Sequence, residues 1–171
     1  LMRSSAASDV YKRQLYDKEL ITMAAKHSGL SEEAVAASEK RHTHSLLYSL
    51  YTMGNELPLG DQAFILQSRI IKQLAEEGPC VILGRCADEI LREAGMESLN
   101  VFIHADAVHR AVRASELTGC TDATELQKII AKKDNSRHTY YNHYTGKKWG
   151  DSHNYHLVLD SGKLGYSLCT K

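Results

Sequence analysis

Three clusters in this 171-residue chain have the residue types and spacing that phosphate chemistry needs. In "PCVILGRCADEIL", Pro79 to Leu91, an apolar run enters Gly84-Arg85 and acidic residues follow. Glycine lets the backbone turn tightly, and arginine offers a planar five-donor fork that matches phosphate oxygens. Asp88 can accept hydrogen bonds from a base or a sugar. By spacing alone, an ion pair of Arg85 with Asp88 or Glu89, with Asp88 capping a helix, fits better. The second cluster is Arg110 and Arg113, with Lys132, Lys133, Asp134 and Arg137 further on. Arg110 and Arg113 share a helix face at i, i+3, as do Asp134 and Arg137. A hairpin carrying them can close over phosphates and neutralise charge on transferring phosphoryl oxygens. A solvated, salt-bridged hairpin suits the same spacing. The third is "YYNHYTGKKWGD", Tyr140 to Asp151, which joins aromatics, Lys147-Lys148 and the only Trp. It suits a stacking platform for single strands, and suits better a small satellite core under a loop.

These clusters need elements to hold them. Asp17 is placed to cap a helix with Leu20, Ile21, Ala24 and Ala25 inward, ending near Gly29. Ser31, Glu32 and Glu33 open a shorter helix, and residues 40–58 read as a long, partly apolar loop or lid. Asp61 is expected to cap a helix to Glu77 with Phe64, Ile65, Ile70, Ile71 and Leu74 inward. "CVIL" (80–83), "LNVFIHA" (99–105) and "HLVLD" (156–160) read as strands. Helices are expected at Ala87–Glu93, from an Asp106 cap to about Thr118, and onward from Asp122 through Leu126, Ile129 and Ile130. Short apolar strands alternating with helices predict an α/β fold with a parallel sheet covered on both faces. Ligands in such sheets sit beyond the carboxyl ends of the strands, where Gly84-Arg85 falls.

Composition narrows the partners. Lys+Arg and Asp+Glu are both 21, so net charge offers no reason to expect nucleic acid or an acidic membrane. The chain is 43% hydrophobic and 25% charged, as an ordinary globular domain is. Cys80, Cys86, Cys120 and Cys169 form no C-x-x-C pair, which suits a reduced, cytoplasmic setting. The nine histidines lack ligand spacing with Cys or Glu and read as surface residues, so no metal site is expected. No apolar run approaches the ~20 residues that span a bilayer. Residues 1–14, "LMRSSAASDVYKRQ", lack periodicity and resemble a translated adapter; they are set apart as a non-native leader, and the domain is taken as 15–171.

With these segments in order, the chain resembles the cytidylate kinase-like family, bacterial relatives of CMP kinase in the P-loop nucleoside-monophosphate kinase group. The likeness is carried by "YDKEL…SGLSEE", "LPLGDQAFILQSRIIKQLAEEGPCVILGRCADEIL", "LNVFIHAD…R..R" and "DNSRHTYYNHYTGKKWGD…NYHLVLDS", and runs from Leu15 to the C-terminus. It implies a three-layer α/β/α kinase-like fold and transfer of the γ-phosphoryl of ATP-Mg²⁺ to a nucleoside monophosphate of CMP or dCMP type. In that frame Arg85 grips the acceptor phosphate, with Asp88 beside it. Asp134 meets the acceptor nucleotide. Arg110, Arg113 and Arg137 are the catalytic lid arginines, within a lid at about 106–151. Asp17 and Lys18 stand where the acceptor site begins, and Gln67 lies on the helix facing the base.

The chain departs from the pattern in four places. Cys86 stands where CMP kinases carry the Asp that helps read cytosine, and Ile130 replaces a lid arginine. The aromatic Tyr140–Asp151 segment has no counterpart in typical CMP kinases. No G-x-x-x-x-G-K-[ST] loop for cradling ATP phosphates occurs anywhere in the sequence. The expectation is a fold lacking its first, central strand and phosphate loop, split between "CVIL" and "NVFI", with weak ATP binding and no activity of its own. A non-catalytic domain that keeps only the acceptor pocket is the alternative, and a single-strand binder a distant third.

Overall fold

A computed structural model describes residues 14–17 and 59–170. The helices expected between residues 17 and 33, the loop at 40–58 and Lys18 lie outside the described residues. The fold is mixed α/β, with small parallel sheets and five α-helices among the described residues. It divides into two compact units, residues 1–97 and 98–171.

In the first unit, β1 (Gln14–Tyr16) pairs in parallel with β2 (Cys80–Ile82). The register sets Gln14 opposite Cys80 and Tyr16 opposite Ile82, and Leu83 N–H extends it by donating to Tyr16 O at 3.0 Å. β1 takes in Gln14, the last residue of the stretch set apart as a leader. Helix α1 (Leu59–Glu77) packs on α2 (Ala87–Glu93). The buried stripe of α1 is Ala63, Gln67, Ile70, Ile71 and Leu74, joined by Ala87, Ile90 and Leu91 of α2. This corrects the expected inward set. Ile65 is 40% exposed and Phe64 only half-buried, while the polar Gln67 sits fully inside. Positions 63, 67, 70, 71 and 74 share one face at helical spacing, and Ile65 points away from it. Hydrophobicity alone passes over a Gln in the middle of such a stripe. Asp61 is likewise within the first turn of α1, not at its cap, where its charge still meets the positive helix end.

In the second unit, β3 (Val101–His104) pairs in parallel with β4 (Leu157–Asp160), Val101 opposite Leu157 and His104 opposite Asp160. Each strand is shorter than its apolar run. Between them, α3 (Ala107–Thr118) and α4 (Ala123–Thr145) pack on each other. Asp106 and Asp122 cap them as expected, accepting from His109 N–H at 2.9 Å and Glu125 N–H at 2.7 Å. α4 runs on through the polar-aromatic segment to a left-handed Gly146. A short 3₁₀ turn (Ser152–Asn154) leads into β4, and α5 (Ser161–Cys169) follows with Asp160 as its cap.

Among the described residues the strands form two two-stranded parallel sheets, β1-β2 and β3-β4. One face of β3-β4 leaves Val101, Ile103 and Leu157 exposed. The satellite-core reading of the aromatic segment holds in the geometry. Phe102 meets Trp149 edge-on at 5.5 Å and Tyr155 at 4.9 Å between ring centroids. Asn142 Oδ1 accepts from Trp149 N–H at 2.9 Å and pins the loop to α4.

Candidate functional site

Two groups of candidate residues emerge, one in each unit. In the first, parallel pairing puts the carboxyl ends of β1 and β2 on one edge, so Asp17 and Gly84-Arg85 leave the sheet on the same side. Gly84, Arg85 and Cys86 all have positive φ, at 72°, 61° and 57°. Ala87 N–H closes the turn by donating to Gly84 O at 3.1 Å. Left-handed backbone at both central positions is the geometry of a type I′ turn, which costs energy at Arg and Cys where Gly would pay none. Such conformations persist where surrounding structure enforces them, and they cluster at functional sites. The turn holds Arg85 half-buried and sinks Cys86 into the core.

Electrostatics around Cys86 bear on its chemistry. Burial, helped by the Asp88 carboxylate and opposed by the Arg85 guanidinium, pushes the thiol up to about 12. It stays protonated at neutral pH and is no nucleophile. Glu89 is paired within α2 by Arg92, whose Nε donates to Glu89 Oε2 at 2.9 Å and whose Nη2 donates to Oε1 at 2.5 Å. Asp88 lies in the first turn of α2, and Gln67 is fully buried among the apolar residues of α1.

The second group spans the α3–α4 hairpin. Arg110 Nη2 lies 2.8 Å from Asp134 Oδ1 and 2.7 Å from Oδ2. Arg137 Nη1 donates to Asp134 Oδ1 at 3.1 Å from the same helix. Three of the residues singled out by sequence therefore meet at one carboxylate. Arg113, though on Arg110's face, turns to Glu116 Oε2 at 2.9 Å. That partner was missed; an i, i+3 Arg–Glu spacing within α3 was its signal. The hairpin's short connection, 119–122, turned by the left-handed Gly119, was the available signal that α4 folds back beside α3.

Asp106 and His109 form a further pair missed by sequence reading. Asp106 Oδ1 lies 2.9 Å from His109 Nδ1, and hydrogen bonds from His109 hold the carboxyl below its usual range. A Cβ on Gly162 would stand 3.0 Å from the His109 ring, so this glycine lets α5 start against α3.

Among the described residues, no group of three His, Cys, Asp or Glu is placed to hold a metal ion, and no helix is long and apolar enough to cross a membrane. A family model described as the cytidylate kinase-like family matches residues 6–163. The crystal structure of an uncharacterised protein from Eubacterium ventriosum is similar at 27% identity and a TM-score of 0.68, covering 95% of this chain and 81% of that one. A comparison with curated proteins finds no match.

Proposed function

Because the chain belongs to the cytidylate kinase-like family, we propose that it serves the acceptor side of a nucleotide-kinase-like phosphotransferase, taking a nucleoside monophosphate of CMP or dCMP type. The observation that carries this reading is the convergence of Arg110 and Arg137 on one point across the α3–α4 hairpin. Two guanidinium forks aimed together make a receptor for a phosphoryl group, which accepts paired N–H bonds. Asp134, beside them, is suited to hydrogen-bond the sugar. Arg85, half-buried on its left-handed turn, grips the acceptor phosphate, with Asp88, Asp17 and Lys18 as the remaining candidate contacts. Arg113 contributes from farther along α3.

Catalysis of this kind is positioning and charge neutralisation, with no covalent nucleophile. The donor in such chemistry is ATP with Mg²⁺, which supplies the phosphoryl group. The sequence carries no G-x-x-x-x-G-K-[ST] loop for the donor's phosphates. Phosphoryl transfer by this chain alone is therefore expected to be weak. The lack of a G-x-x-x-x-G-K-[ST] motif favours, as second reading, a non-catalytic domain that binds the nucleotide as a sensor.

Calorimetric titration of the 171-residue chain with CMP, dCMP, UMP and AMP, beside a coupled assay with ATP-Mg²⁺, tests both. Binding of a monophosphate with turnover supports the enzyme. Binding without turnover supports the sensor. No binding of any of the four sinks the acceptor reading.

A further inference from the structure

Arg110 and Arg137 approach Asp134 from two different helices, and both donate to it. Two guanidinium groups aimed at one point repel unless an anion stands between them. Here the anion is the protein's own carboxylate. To arginine, a carboxylate and a phosphate offer the same thing, paired oxygens that accept N–H bonds from a planar fork. The directions set by Asp134 are the directions that phosphoryl oxygens need. We propose that Asp134 is a stand-in anion, held by Arg110 and Arg137 in the ligand-free chain and displaced from them when a phosphate group binds. This rests on the reading of Arg110 and Arg137 as phosphate-binding groups.

Charge and exposure support the exchange. Two guanidinium groups against one carboxylate leave a positive charge uncompensated, which draws a further anion in. The Asp134 side chain is 25% exposed, Arg110 35% and Arg137 55%, so water and ligand reach the cluster. Ion pairs this open are weak, and exchanging them costs little. A phosphate dianion brings more charge and more acceptor oxygens than the carboxylate it replaces, so the exchange favours it. A carboxylate ligand supplies only what Asp134 already supplies. The site therefore selects phosphate-class anions over carboxylates, and a covalently tethered carboxylate sets the threshold.

The test is calorimetric titration of the full chain with inorganic pyrophosphate, for the wild type and for Asp134→Asn, Arg110→Met and Arg137→Met. Lys128→Met, which removes only a surface pair with Glu125, is the control. Asp134→Asn is expected to bind about three- to tenfold tighter, and both arginine variants more weakly. In the wild type, the Asp134 carboxyl ¹³C resonance is expected to move as pyrophosphate is added. If Asp134→Asn binds no tighter while the arginine variants bind more weakly, the exchange is overturned and the phosphate reading stands. If the wild type does not bind, or the arginine variants bind as it does, the phosphate reading falls and the exchange with it. Should Asp134→Asn fail to fold, the wild-type resonance decides: an unmoved signal at saturation overturns the exchange.

Discussion

Arg110 and Asp134 join α3 to α4 through a guanidinium Nη2 that reaches both carboxylate oxygens, at 2.8 and 2.7 Å. The contact lies between helices, so breaking it loosens the hairpin as a whole. Both side chains are partly exposed, which limits its worth to about 0.5–1 kcal/mol. A double-mutant cycle of Arg110→Met and Asp134→Asn, read by urea unfolding, is expected to return a coupling of about that size. A coupling near zero would show that the pair is incidental to the hairpin's stability.

Arg110, Arg113 and Arg137 should separate in their effect on the proposed nucleotide binding. Arg110→Met and Arg137→Met each remove a charged donor from the convergent cluster, and each is expected to weaken CMP binding about tenfold. Arg113 is committed to Glu116, and Arg113→Met is expected to weaken it severalfold less. Calorimetry on the three variants ranks them, and an Arg113 effect equal to the others would contradict the geometry.

Gly150 is a second structural checkpoint. Its φ of 77° is left-handed, and a Cβ there would stand 3.2 Å from the Phe102 ring. Gly150→Ala meets backbone strain and ring contact together, so a loss of about 1–3 kcal/mol is expected in chemical unfolding. Near-ultraviolet circular dichroism from Trp149 should weaken with it, because that loop holds the indole against Phe102.

Cys86 links the strained turn to pH. Its thiol, about 12 in the folded chain, has an ordinary value of 9.0. Between those values the unfolded chain has released the proton and the folded chain still holds it, so stability falls as pH rises through this window. Below 9 the contribution is fully present. Relative to Cys86→Ala, the wild type is expected to lose stability progressively above pH 9, and its Cys86 to resist alkylation at pH 8 while the half-buried Cys80, Cys120 and Cys169 react faster. Equal alkylation rates at all four thiols, measured by mass spectrometry, would refute the burial argument.

Sequence carried the capped elements well, because caps act locally. Asp106 and Asp122 mark the starts of α3 and α4, and "ADEILRE" is a helix at the residues expected. It carried α1's buried face less well, since Gln67 occupies a position that hydrophobicity assigns to an apolar residue. The strand at Gln14–Tyr16 was invisible for another reason: three residues show no period, and its existence depends on pairing with β2. At the candidate site, residue types and i, i+3 spacing singled out Arg110, Asp134 and Arg137, while the choice of partners was tertiary. Arg113 has the same spacing and went to Glu116. Spacing along a helix says which residues share a face, and only the packed neighbour says what that face meets.

The left-handed turn at Arg85 and Cys86 also limits how the chain can drift over generations. Position 85 is filtered by a backbone that penalises branched side chains and, under the proposed phosphate role, by the need for a cation. Asn accepts the backbone and lacks the charge; Lys keeps the charge and gives up the planar fork; Gly removes the strain and the guanidinium together. Position 86 is filtered by the same backbone and by burial, so the Asp that its conformation would welcome must enter as a desolvated charge. Neutral replacement is scarce at both positions, and a lineage that moves away from Cys86 is expected to change the residues around it at the same time.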